Sequence, residues 1–141
     1  MMDYKLELVL VPVTDVDRAK SFYLEQAGFA LLIDTQVGEK MRVVQMTPPG
    51  SACSVGFGTG ITAAAPGSAQ GLHLVVSDIV VARELLLRRG VQVSEVRHLE
   101  SGTWATGPDP QRENYMSFAD FADPDGNAWV LQEVNRAEPA A

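Results

Sequence analysis

The sequence predicts an α+β fold made of two tandem βαβββ modules, and three observations carry that expectation. Val13-Thr14-Asp15-Val16 returns 63 positions later as Val76-Ser77-Asp78-Ile79, each time between an apolar strand-like run and a helix-like one. The glycines that close those helices, in Gly28-Phe29 and Gly90-Val91, repeat at nearly the same offset, 62. A turn then precedes the last strand of each half, at Pro49-Gly50 and at Asp125-Gly126, with the extra spacing of the second falling before Tyr115. Self-similarity at a fixed period is the mark of a duplicated unit. A chain of 141 residues suits one compact domain formed by two such halves.

The elements follow in order. Leu6 to Val13 is a near-continuous apolar run, which predicts a first strand buried on both faces. Pro12 puts the end of that strand at a sheet edge or bulge. Thr14-Asp15-Val16-Asp17 reads as a capping box with Thr14 as the cap. The helix it opens carries Val16, Ala19, Phe22, Tyr23 and Ala27 on one face and ends at Gly28. Strands are expected at Phe29–Asp34, Met41–Thr47 and Ala52–Phe57. A Gly-, Ala-, Pro- and Ser-rich linker follows, over residues 59–69.

In the second half, Leu72–Val76 reads as a strand. Ser77-Asp78 opens a helix with Ile79, Ala82, Leu85 and Leu86 on its core face, and Val91–Val96 reads as the next strand. Phe118-Ala119-Asp120-Phe121 and Trp129-Val130-Leu131-Gln132-Glu133 flank Asp123-Pro124-Asp125-Gly126-Asn127 as a hairpin. Pro124 presets φ there, and Gly126 and Asn127 tolerate positive φ.

Composition excludes several functions. Hydrophobic residues make up 46% and charged residues 21%, and the net charge is -7. An acidic chain without a basic patch argues against nucleic acid or an anionic membrane as partner. No apolar stretch reaches transmembrane length, and the start, Met1-Met2-Asp3-Tyr4-Lys5, lacks the pattern of a secretory segment. A lone cysteine, Cys53 in a small-residue apolar run, excludes an intrachain disulfide. It reads as a buried structural thiol in a cytoplasmic protein.

The Asp-Pro-Asp-Gly-Asn turn with its apolar strand resembles the last hairpin of the vicinal-oxygen-chelate superfamily. That family includes glyoxalase I, extradiol dioxygenases, fosfomycin-resistance enzymes and bleomycin-resistance proteins. The resemblance extends over nearly the whole chain: module one over about 3–60, a linker over about 61–70, module two over about 71–135 and a tail over 136–141. It implies two curved mixed sheets enclosing a pocket, with helices outside.

In the family's metal enzymes the ligands lie on the first and last strands of each module. Carried over from the helix-opening aspartates and the turn glycines, those positions are Leu8, Gly71, Ser54 and Val130. A divalent metal needs three or four His, Cys, Asp or Glu donors, so no metal and no cofactor are expected. The four positions become candidate linings for an organic ligand.

His73 shares a strand face with Gly71, as a polar contact or general base at the pocket or as a histidine bonded to a neighbour. His98, near a strand end, reads as a site residue or a surface residue, with surface favoured. Both are weak catalytic candidates. By alternation Glu7 and Glu133 face away from the ligand positions, as solvated or ion-paired carboxylates. The segment from Leu99 to Tyr115 reads as a long loop in which Trp104 closes over an apolar ligand or packs on the protein's own surface.

Together these observations point to a glyoxalase/bleomycin-resistance-like protein that lacks the usual metal ligands and binds a small organic molecule. The rival is a lyase/isomerase or dioxygenase-like enzyme of the same fold, using His73 or His98 or a metal on an unrecognised ligand set. A homodimer is expected from the resemblance.

Overall fold

The computed structural model describes residues 2–136, so the last part of the expected tail, 137–141, lies outside the described residues. Two compact units emerge. One holds residues 2–69 together with Asp123–Asn127, and the other holds Gln70–Ala122 and residues 128–136.

The first unit contains β1 (Leu8–Leu10), α1 (Val16–Ser21), β2 (Ala30–Val37), β3 (Met41–Thr47) and β4 (Ser54–Thr59). Its sheet has the order β1-β4-β3-β2, with β1 parallel to β4 and the other pairs antiparallel. The second unit contains β5 (Leu72–Val76), α2 (Ile79–Arg88), β6 (Arg97–Glu100), β7 (Thr103–Thr106), β8 (Ser117–Ala122) and β9 (Ala128–Glu133). Its order is β5-β9-β8-β6-β7, again with the first and last strands parallel. The duplicated topology is therefore present, with β7 added at one edge. The result is an α+β fold of two mixed sheets.

Several expectations need correction. Asp15, not Thr14, caps α1: its carboxylate accepts the Arg18 amide, while the Thr14 hydroxyl donates to Asp125 at 2.6 Å. The helix then loosens into a π turn over Phe22–Gln26, closed by the Ala27 amide on the Phe22 carbonyl. The first strand is three residues long, and its leucines are not buried on both faces. It is an edge strand with a neighbour on one side only, so Leu6 is 70% exposed and Leu8 and Leu10 are exposed.

Val91–Val96 forms no ladder. Ser94 alone bonds β8 there, its amide to the Asp120 carbonyl and its hydroxyl oxygen accepting the Asp120 amide; that side-chain bond replaces backbone pairing until Arg97. Leu85, assigned to the core face of α2, is 52% exposed. Cys53 is half-buried rather than buried.

Each unit has its own core. In the first, Tyr23 is fully buried among Phe22, Phe29 and Phe57, with ring centroids 5.0 to 5.5 Å away. Its hydroxyl donates to Asp123 at 2.7 Å, and the Asn127 side chain ties Asp123, the Pro12 carbonyl and the Ala69 amide together. Every buried polar group in this knot has a partner, as burial requires. Outside the core, Arg42 bridges Asp17 and Asp34 and Lys20 also reaches Asp34, which holds the Asp34 carboxyl well below its usual range. In the second unit Phe121 stacks on Trp129 at 6.1 Å, and Ile79, Val91 and Val93 are buried.

Candidate functional site

Alternation along paired strands divides each sheet into a covered face and an open one. In the second unit Trp129, Leu131 and Glu133 of β9 and Ser117, Ala119 and Phe121 of β8 are buried. The intervening Val130, Phe118 and Asp120 are half-buried and point the other way. Register carries that open face across the sheet: His73 pairs with Val130, Val130 with Asp120, and Arg97 with Phe118.

Trp104 completes the open face at the β7 edge. It pairs with Leu99, two residues beyond Arg97, and is 51% exposed. The Arg97 guanidinium lies 4.6 Å from the indole centroid, and Phe118 meets the indole edge-on at 5.5 Å. Arg97 also holds Asp120 through two bonds, at 2.6 and 3.2 Å. The Arg97 cation and the Phe118 ring thus pack against the indole, and the bidentate ion pair to Asp120 holds Arg97 in place, while half of Trp104 stays exposed. A groove of about 350 Å³ runs beside it, lined by Ser94, Glu95, Val96, Arg97, Trp104 and Thr106 among others.

The segment expected as a long loop is therefore partly a hairpin, β6 to β7, followed by a strap. Ser101 and Gly102 make its tip with positive φ. The strap is held by Arg112, which donates to both oxygens of buried Glu133 and to Asp78. Glu133 also accepts the first amide of α2, from Ile79. Its carboxyl is held below the usual range chiefly by Arg112, with the Ile79 amide adding to it.

His98 lies on the covered face, 4% exposed, and is not the surface residue expected. The cause is its neighbours: it pairs with Ser117 and Ala105, inside the sheet rather than at its rim. His73 is exposed, and its Nδ1 donates to the Gly71 carbonyl at 2.7 Å.

In the first unit Leu8 pairs with Ser54 and Leu10 with Gly56, so the sequence-derived positions Leu8 and Ser54 are neighbours. Ser54 is 3% exposed, and its hydroxyl is engaged with Thr47 at 2.7 Å. A Cβ at Gly56 would meet Leu8 Cδ1 at 3.2 Å and Leu10 Cδ2 at 3.3 Å, so both leucines fold over that glycine.

Register also moves one position. The residue paired with Ser54 is Leu8, but the residue paired with Val130 is His73, two beyond Gly71. Leu8, Ser54, His73 and Val130 offer one imidazole and one hydroxyl, which does not fit the metal of the family's enzymes. Among the described residues no three His, Cys, Asp or Glu side chains gather into a metal-binding group.

The structure places His73, Val130 and Trp104 on one face, with His73 and Trp104 on strands at opposite edges of the sheet. Sequence reasoning did not single out Arg97 and Phe118, which lie between them with Asp120. Alternation in Phe118-Ala119-Asp120-Phe121 was the available signal.

The chain belongs to the Glyoxalase/Bleomycin resistance protein/Dioxygenase superfamily, whose description matches residues 5–131. Among solved structures it is similar to TnmS3, an antibiotic binding protein from Streptomyces sp. CB03234, with 34% identity and a TM-score of 0.73 over 94% of this chain and 98% of that one. A glyoxalase/bleomycin resistance protein from the same strain is also 34% identical, with a TM-score of 0.69 over 91% and 99%. A superfamily member from Sphaerobacter thermophilus DSM 20745 is 28% identical, with a TM-score of 0.73 over 95% and 100%. No curated protein matches the chain. Among the described residues no helix is long and apolar enough to cross a membrane.

Proposed function

We propose that this protein binds a small, partly aromatic organic molecule, of the antibiotic class, without a catalytic metal. The observation that carries the reading is the half-exposed Trp104 braced by Arg97 and Phe118 beside Asp120. A fixed indole gives a ligand ring a low-entropy stacking surface, and the neighbouring carboxylate offers one polar contact for orientation. The likeness to an antibiotic binding protein at 34% identity supports the same class of ligand. His73 and Val130 extend the face toward the opposite edge, and Leu8, Leu10 and Ser54 belong to the corresponding face of the first unit.

The proposal includes a homodimer acting in the cytoplasm. A second copy gives the exposed Leu6, Leu8, Leu10 and Ile33 an apolar partner, and the single cysteine suits a reducing compartment.

The test is a thermal-shift and calorimetric screen of antibiotics, graded from apolar-aromatic to strongly cationic, in metal-free buffer. A concentration-dependent rise in Tm with at least one aromatic member is the expected result. Trp104→Ala should weaken that binding about tenfold, the size of one stacking contact. Turnover that needs added metal, with no binding in its absence, would reverse the assignment in favour of a lyase or isomerase.

A further inference from the structure

We infer that His98 is a positioning residue for Trp104: an imidazolium that clamps the β6–β7 hairpin in the posture in which Trp104 faces outward. The inference rests on the binding role given to Trp104 above.

The hairpin joins the rest of the sheet narrowly. Only Arg97 and His98 of β6 pair with β8, opposite Phe118 and Ser117. Beyond them β6 pairs with β7 alone. His98 is therefore the last residue of β6 in register with β8, and it also faces Ala105, the residue next to Trp104. Its Nδ1 lies 2.7 Å from the carbonyl of Gly107, where β7 ends, and the Gly107 amide donates back to Val96. That one imidazole links the root of β6 to the end of β7.

The protonation state follows from who can donate. A carbonyl only accepts, so Nδ1 must carry a proton. In a neutral ring Nε2 is then a bare lone pair, and its neighbour at 3.2 Å is Oε1 of Glu100, another acceptor. Two acceptors at that distance repel. A second proton, on Nε2, turns the contact into an ion pair and supplies a partner for a buried nitrogen that otherwise makes no aligned hydrogen bond.

The surroundings favour that proton. Glu100 on the same strand and Asp109 beyond β7 are the carboxylates acting on the ring, and the residues facing it from β7 and β8, Ala105 and Ser117, are uncharged. Glu133, further along the covered face, is already paired with Arg112. The Gly107 carbonyl first, and Glu100 second, raise the His98 pKa above its ordinary value, against the opposing effect of burial. As pH rises through that raised value the Glu100 link is lost, and of the two side-chain links of His98 only the Gly107 bond remains.

Nuclear magnetic resonance tests this without any ligand, so its outcome is independent of whether the binding proposal holds. The indole N–H signals of Trp104 and Trp129 and the imidazole signals are followed from pH 5 to 9, in the wild type and in His73→Gln, which removes the other imidazole. The expected result is a Trp104 transition that shares the midpoint of His98, while Trp129 stays still. Glu100→Gln should lower that midpoint. His98→Asn keeps a donor for Gly107 but cannot titrate, so it should fold and show no Trp104 transition. A Trp104 signal indifferent to His98 titration overturns the inference, as does a transition that persists in His98→Asn. An unchanged midpoint in Glu100→Gln equally removes the clamp. If the transition is present but no antibiotic binds, the clamp stands and the ligand proposal alone fails.

Discussion

The two units share one topology and differ most on their open faces. Counted from the turn glycines, Gly56 in the first unit stands where the second has Gln132, and Ser54 stands where the second has Val130. The first unit's open face is consequently glycine-lined, with Leu8 and Leu10 folded over the backbone. The second keeps side chains at those positions and adds β7, which brings Trp104, braced by Arg97, to the same face. A duplicated frame thus leaves strand order intact, while the register of the first strand shifts by two residues and side chains on one face diverge. Strand pairing depends on the backbone and the covered face, and the open face is free of that constraint.

Substitutions in either unit sharpen the contrast. The largest effect belongs to Gly58→Ala in β4, because a Cβ there collides with the Arg42 carbonyl oxygen on the paired strand. Separating two paired backbones should cost about 3 kcal/mol, measured as a shift in the denaturation midpoint. A loss below about 1 kcal/mol would mean that the β3–β4 pair yields easily.

Next comes Arg112→Ala in the second unit, which leaves the Glu133 carboxylate buried with only the Ile79 amide. Arg112 is partly exposed, so water offsets part of the penalty and a loss of about 2 kcal/mol is expected. The pH dependence changes with it. Glu133 is held below its ordinary 4.5, so its contribution is present above that pH and disappears as pH falls through the lower folded value. His98 behaves oppositely: its pKa is raised, so its contribution is complete below 6.5 and is lost as pH rises through the folded value. Stability should therefore be greatest between about pH 4.5 and 6.5, with the acid flank flattened in Arg112→Ala.

The smallest change is Tyr23→Phe in the first unit. It removes one buried bond to Asp123, which keeps its contacts to Asn127 and the Asp125 amide, so about 1.5 kcal/mol is expected. Equal losses for Tyr23→Phe and Arg112→Ala would erase the distinction between a neutral donor and a charge partner.

Much of the frame was legible in the residues themselves. Met41–Thr47 and Leu72–Val76 fall where composition and alternation put them, because branched and aromatic runs bounded by Gly and Pro permit little else. The duplication was readable too, since a repeated cap and a repeated turn depend on local chemistry. Two of the boundary errors share one cause. At Ser94 and at Thr14 a side chain forms a hydrogen bond to a distant residue, Asp120 or Asp125, in place of the local bond that the sequence pattern suggested.

The site was legible only in part. Trp104, His73, Val130, Leu8 and Ser54 were candidates by residue type and count, and register then exchanged Gly71 for His73 as the partner of Val130. What the sequence alone determined is the βαβββ repeat and the acidic balance, both properties of residue identity. Tertiary structure decided that His98 is inside, that Arg97 and Asp120 brace Trp104, and that Asn127 ties together Pro12 and Ala69. Those contacts join residues far apart in the chain, and strand order together with burial selects them.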